Sequence, residues 1–122
     1  MKTIFCILAL MLGLTLAFAE PTAAAKLPRL VDLGAGKCIP CKQMKPILEE
    51  LTKEYAGQLD VEFIDIWENK ASGESFGVRM IPTQIFFSAD GKELFRHEGF
   101  FAKKDILAKW KELGVELKER SK

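Results

Sequence analysis

Cys38 and Cys41 stand either side of Ile39-Pro40, between Gly36-Lys37 and a lysine-rich stretch with helical spacing that runs through Lys42, Lys45 and Pro46. A cysteine pair at this spacing suits four kinds of chemistry: part of a metal site, a structural disulfide, a covalent haem anchor, or a reversible dithiol. Each needs different companions. Zinc needs four ligands, or three and a water, and His97 is the single histidine in the chain. No Asp or Glu stands at a ligand spacing, and Arg96 and Glu98 beside His97 favour a solvated strand position, so a metal-binding or metal-delivery module on Cys38, Cys41 and His97 is the alternative reading. Haem attachment requires histidine directly after the second cysteine, where this chain has Lys42. A disulfide across two residues closes too small a loop to restrain much of the unfolded chain. The pair is therefore read as a redox centre at the start of a helix, where unpaired N–H groups and the helix dipole favour a thiolate over a thiol.

The first residues, MKTIFCILALMLGLTLAFAE, have a basic start, an uncharged apolar run from Ile4 to Phe18 and small residues at Ala17 and Ala19. They read as a secretory signal peptide over residues 1–19, with an uncleaved anchor as the alternative. Cys6 would leave with it. The expected location is exported, in a periplasm or on the outer face of the cytoplasmic membrane. Cleavage removes one charged residue, Lys2, and leaves 17 basic against 17 acidic residues. A net charge of zero offers no field for holding nucleic acid.

The elements that position the pair follow from periodicity. Residues 20–28, including PTAAAKLP, form a linker, residues 29–115 one domain, and residues 116–122 a charged tail that extends the last helix or frays. Leu30-Val31-Asp32-Leu33 reads as a buried strand leading into Gly34-Ala35-Gly36. Met44, Ile47, Leu48, Leu51 and Tyr55 line one face of a helix from Cys41 to Tyr55, kinked at Pro46 and closed at Gly57. A second strand spans 61–67, so the two strands and helix make a right-handed βαβ unit. Residues 68–76 hold a poorly specified helix interrupted at Ser72-Gly73. Strands at 83–87 and 93–97 flank the turn signal Asp90-Gly91, and a helix over 103–113 ends at Gly114.

This order resembles thioredoxin and its exported relatives on specific residues: Asp32 on the leading strand, Cys38-Ile39-Pro40-Cys41-Lys42, Pro46 eight residues after Cys38, and Phe76 to Thr83 with Ile81-Pro82-Thr83 opening a strand. The resemblance implies a three-layer α/β/α sandwich with a mixed central sheet. Little chain precedes Leu30, so the family's N-terminal strand and helix are expected to be reduced or absent.

The resemblance also implies roles. Cys38 is the attacking thiol, Cys41 the buried resolving thiol, Asp32 the proton acceptor beneath them and Pro82 a cis-proline facing the pair. Ile81, Pro82, Ile39 and Pro40 would contact substrate, with the Ile81 backbone pairing with an extended segment. A buried carboxylate suits the Asp32 role, because desolvation raises its pKa toward that of a useful base; a carboxyl merely hydrogen-bonded to the adjacent loop is the other reading.

Two departures stand out. Lys37 occupies the position where thioredoxins carry tryptophan, so that apolar contact is missing. Phe63 replaces the lysine that the family places near the aspartate, which should raise the Asp32 pKa further. The expected activity is that of a protein-disulfide reductase acting through a Cys38 mixed disulfide. No dissociable cofactor is required. Expected partners are protein disulfides and a membrane or periplasmic thiol electron-transfer partner, with the protein itself a monomer.

Overall fold

The computed structural model describes residues 26–120, so the expected signal peptide and most of the linker lie outside the described residues. The elements are β1 (Arg29–Gly34), α1 (Ile39–Glu54), β2 (Asp60–Asp65), α2 (Lys70–Ser75), β3 (Thr83–Phe87), β4 (Glu93–Glu98) and α3 (Lys103–Glu112). They form a four-stranded mixed sheet in the order β2-β1-β3-β4. β1 pairs parallel with β2 through the α1 crossover and antiparallel with β3, and β3 pairs antiparallel with β4 across the Asp90-Gly91 turn. Among the described residues no strand lies outside β2, in keeping with a reduced N-terminal region.

Both central strands are buried on two faces, which is why LVDL and TQIFF read as nearly continuous apolar runs. One face of the sheet packs Leu30 and Phe86 against Met44, Leu48 and Leu51 of α1 and against Ile106 and Trp110 of α3. The opposite face packs Val31, Leu33, Ile85 and Phe87 against Ile64, Ile66, Phe76 and Val78 around α2. The result is α1 and α3, then the sheet, then α2. Phe86 anchors the larger core, with its ring 4.7 Å from Trp110 and 5.5 Å from Phe95. Burying each such ring contributes on the order of 1.5–3 kcal/mol. Lys103 pairs with Glu50 at 2.8 Å and Glu54 at 2.6 Å, tying the start of α3 to α1.

Several local features differ from the sequence expectation. α1 starts at Ile39 instead of Cys41, because Pro40 fits the first helical turn, where its missing N–H breaks no bond. The helix continues through Pro46 to Glu54. The Ser72-Gly73 interruption lies inside α2, and Gly73 serves packing: a Cβ there would stand 3.3 Å from Ile66 Cβ. β2 ends at Asp65, short of Trp67. The described part of the tail neither extends α3 nor frays. Gln58 and Lys118 exchange two hydrogen bonds, Arg120 N donates to Glu54 O at 3.1 Å, and Val115 and Leu117 pack on the core.

Candidate active site

β1 ends where α1 begins, and the connecting loop delivers the cysteines. Cys38 has extended backbone angles and caps α1, its sulfur accepting from Cys41 N at 3.3 Å. Its own N donates to Ala35 O at 3.3 Å, closing the loop into a turn. Cys41 lies within the first turn of the helix, and the two are joined as a disulfide with Cα atoms 5.1 Å apart. Ile39 is 72% exposed while Cys41 is 4% exposed, so the loop presents one side to solvent and hides the second sulfur.

What hides it is the sheet. A Cβ at Gly34 would stand 3.1 Å from Cys41 Sγ and 3.1 Å from the Phe63 ring, so only glycine lets the helix come this close to β1. Asp32 precedes Gly34 by two residues and shares its face, one pleat step or about 7 Å along the strand. Asp32 is fully buried. Burial pushes its carboxyl up to about 6, opposed by a hydrogen bond from Gln84 Nε2 to Oδ1 at 2.8 Å; Oδ2 has no partner among the described residues. That hydrogen bond goes to β3, not to the adjacent loop.

The remaining expected residues collect at the same end of the sheet. Thr83 pairs with Leu33, so residues 80–82 sit beside the end of β1. The Ile81-Pro82 peptide bond is cis, Thr83 Oγ1 donates to Met80 O at 2.6 Å, and Gly99 N donates to Pro82 O at 2.7 Å. Pro82 is buried and Ile81 half-buried. Ile39 and Pro40 open α1.

His97 lies on the hairpin strand as expected, away from the cysteines, but it is not fully solvated. It is half-buried, its ring stacks on Phe101 with centroids 4.0 Å apart, and its Nε2 lies 3.1 Å from Phe100 O. It sits on β4, two strands or about 10 Å across the sheet from Asp32. Among the described residues no three His, Cys, Asp or Glu side chains converge in a way that would hold a metal ion.

Sequence reasoning missed three contributors. Gln84 was legible only as a lone amide in an otherwise apolar strand. Asp65 ties the cysteine loop to the end of β2: Oδ2 accepts from Gly36 N at 2.9 Å, and Oδ1 accepts from Trp67 N at 2.8 Å and Glu68 N at 3.2 Å. Desolvation works against its charge, but these N–H groups outweigh it and hold the carboxyl below its ordinary range. Trp67, in the turn so fixed, is 56% exposed. With Ile39, Met80 and Phe100 it gives the cysteine end of the sheet exposed apolar side chains, although Lys37 supplies none. A cleft of about 680 Å3 runs along α1 and β2 from Gly36 and Cys41 past Lys45, Glu49 and Phe63.

Chemically, a half-exposed sulfur at a helix N-terminus can attack, and a buried sulfur one turn on can displace what it has caught. A protein with this arrangement at a strand-to-helix junction of an α/β/α sandwich is a thiol–disulfide oxidoreductase. The family model described as Thioredoxin matches residues 14–112, and the chain belongs to the thioredoxin family. It is 40% identical over 78 residues to the thioredoxin of Staphylococcus haemolyticus, covering 64% of this chain and 74% of that one. It is 35% identical over 82 residues to thioredoxin C-2 of Corynebacterium nephridii, covering 67% and 75%. Among solved structures, chloroplastic thioredoxin z superposes with a TM-score of 0.67 at 26% identity, over 75% of this chain and 81% of that one. A malarial protein superposes with a TM-score of 0.66 at 22% identity, over 70% and 96%, a likeness of fold. The active-site pair is Cys38–Cys41, its substrates are protein disulfides, and a thiol-exchange partner completes the cycle.

The two sulfurs are expected to differ sharply in the reduced folded protein. Iodoacetamide near neutral pH should modify Cys38 fast and Cys41 slowly, read by mass spectrometry of quenched digests. Equal rates would contradict the placement of Cys41 against Gly34.

Proposed function

We propose that this protein is an exported reductant of protein disulfides. In the reduced state the Cys38 thiolate attacks a substrate disulfide, forming a mixed disulfide and releasing one substrate thiol. Cys41 then passes its proton to Asp32, directly or through one water, and attacks Cys38 Sγ. The Cys38–Cys41 bond forms, the bond to substrate breaks, and the second substrate sulfur leaves with the electron pair and takes up a proton. The substrate is reduced by two electrons and the pair is oxidised to the disulfide. Substrate lies across Ile39 and Pro40 and along the backbone of Ile81 before Pro82, with Trp67, Met80 and Phe100 as apolar contacts. A membrane or periplasmic dithiol protein resets the pair, which the leader-like first 19 residues support. Among the described residues no helix is long and apolar enough to cross a membrane.

The observation that carries the direction is the surroundings of Cys38. Its sulfur receives a backbone N–H from Cys41, and neither Ile39 nor Pro40 has a side-chain donor to add. A thiolate stabilised this modestly favours the disulfide, which makes the dithiol reducing. The potential should therefore lie nearer about −270 mV than the roughly −120 mV of the strongest periplasmic oxidant. Equilibration against glutathione buffers, with the redox state read by alkylation shift, tests this. A pair found mostly reduced where glutathione is largely oxidised would make the protein an oxidant.

A further inference from the structure

We propose that Gln84 is a positioning residue for the proton acceptor of the dithiol, holding Asp32 by one oxygen so that the other receives the Cys41 proton. The inference deepens the reading of Asp32 as acceptor and rests on it.

Gln84 is fully buried, the second residue of a strand whose five residues are all buried. A primary amide there is costly unless it is hydrogen-bonded, so its placement calls for a partner. The strand register supplies one, since Gln84 and Asp32 are directly opposed on β3 and β1. Nε2 donates to Asp32 Oδ1, while Asp32 Oδ2 and Gln84 Oε1 are both buried without partners among the described residues. The reverse amide orientation would set two acceptors against each other whenever Asp32 is ionised. An amide neither gains nor loses a proton in this pH range, so Gln84 does not compete for the one that Cys41 releases. With Oδ1 engaged, Oδ2 is the basic site.

The other neighbours of Asp32 offer no substitute. On β2 its register partner is Phe63, whose ring packs over Gly34. From α1, Cys41 packs against Gly34, two residues along the same face, while Lys42, Lys45 and Glu49 line the outer cleft. On β4 the partner of Gln84 is His97, one strand further away, with Nε2 on Phe100 O. Gln84 thus gives from β3 the donor that Phe63 cannot give from β2. It favours the ionised form of Asp32 between turnovers, when the carboxylate must be ready to accept.

The test is an Asp32 titration followed by carboxyl 13C NMR in wild type and Gln84→Leu, alongside the pH profile of mixed-disulfide resolution. Losing a hydrogen bond to a charged group should move the Asp32 titration up by about one pH unit, a loss of about tenfold in resolution rate on the acid limb. The alkylation rate of Cys38 should not change. Phe63→Lys in the Gln84→Leu background should bring the titration back down, and His97→Asn should leave it in place. Should Gln84→Leu fail to fold, the wild-type Gln84 side-chain amide resonance decides: it should shift with the Asp32 titration. An Asp32 titration unmoved in folded Gln84→Leu, an amide indifferent to that titration, or an acid limb that follows His97 would each overturn the proposal. If the acceptor reading itself is at fault, the failure looks different: Gln84→Leu moves the titration and leaves the resolution rate alone.

Discussion

Cys38→Ser should lower the reduction of insulin disulfides to the uncatalysed background, while Cys41→Ser should still attack and then stall. The asymmetry follows from placement. A serine hydroxyl at position 38 does not ionise near neutral pH and cannot open a disulfide, whatever the helix start does for it. A serine at position 41 leaves the attacking sulfur in place and removes the group that expels the caught substrate. Mixed disulfides should then accumulate between Cys38 and substrate cysteines, visible as adducts on non-reducing gels and lost on adding dithiothreitol. Full activity in Cys38→Ser would place the chemistry elsewhere; stable adducts in Cys38→Ser and none in Cys41→Ser would reverse the two roles. The trapped adducts would also identify the substrates and the partner that resets the pair.

Asp32→Asn should slow mixed-disulfide resolution by about 10²-fold at pH 7, the lower range for loss of a positioned general base, and make the oxidised protein more stable. The two effects share a cause. The folded carboxyl titrates at about 6 against 3.8 for the unfolded reference, because burial outweighs the Gln84 hydrogen bond. A raised carboxyl favours its protonated form in the fold, so its contribution to stability is complete below about 3.8 and is lost as pH rises through about 6. Above that window the buried charge costs about 3 kcal/mol by linkage. Asparagine never ionises, so urea denaturation at pH 8 should show Asp32→Asn as the more stable protein, with the gap closing toward pH 4. A constant gap at both pH values would sever stability from this titration, and an unchanged resolution rate would remove Asp32 from the proton transfer.

The frame of the site was legible because its signals are local and periodic. LVDL and TQIFF are strand-like runs whose polar members are Asp32, Thr83 and Gln84, the α1 face repeats at three and four residues, and Cys38, Pro40 and Cys41 mark a helix start by type alone. The sequence-distant partners were not legible. Gln84 and Asp32 are 52 positions apart, and nothing in either segment states that the strands meet in register. Arg96 and Glu98 suggested a solvated His97, but the stacking ring of Phe101 arrives from the next turn. The charged tail looked destined for solvent because Leu117, which packs on the core beside Val115, is spaced among charges. Trp67 looked like a strand residue until Asp65 turned the chain beneath it.

β2 forms one border of the described sheet, and the makeup of that border bears on how copies of the protein behave in solution. A strand with one unpaired side is a template on which another chain can add, the first step toward aggregation. Three of its six residues are acidic, Asp60, Glu62 and Asp65, and Arg29 Nη1 offsets Glu62 from 3.7 Å. Two such strands brought side by side would face carboxylate to carboxylate. That repulsion guards the border at neutral pH and low salt; it weakens as ionic strength shortens its range and as acid protonates the carboxylates. With β2 at the border of the described sheet, these charges favour storing the protein at near-neutral pH and modest salt.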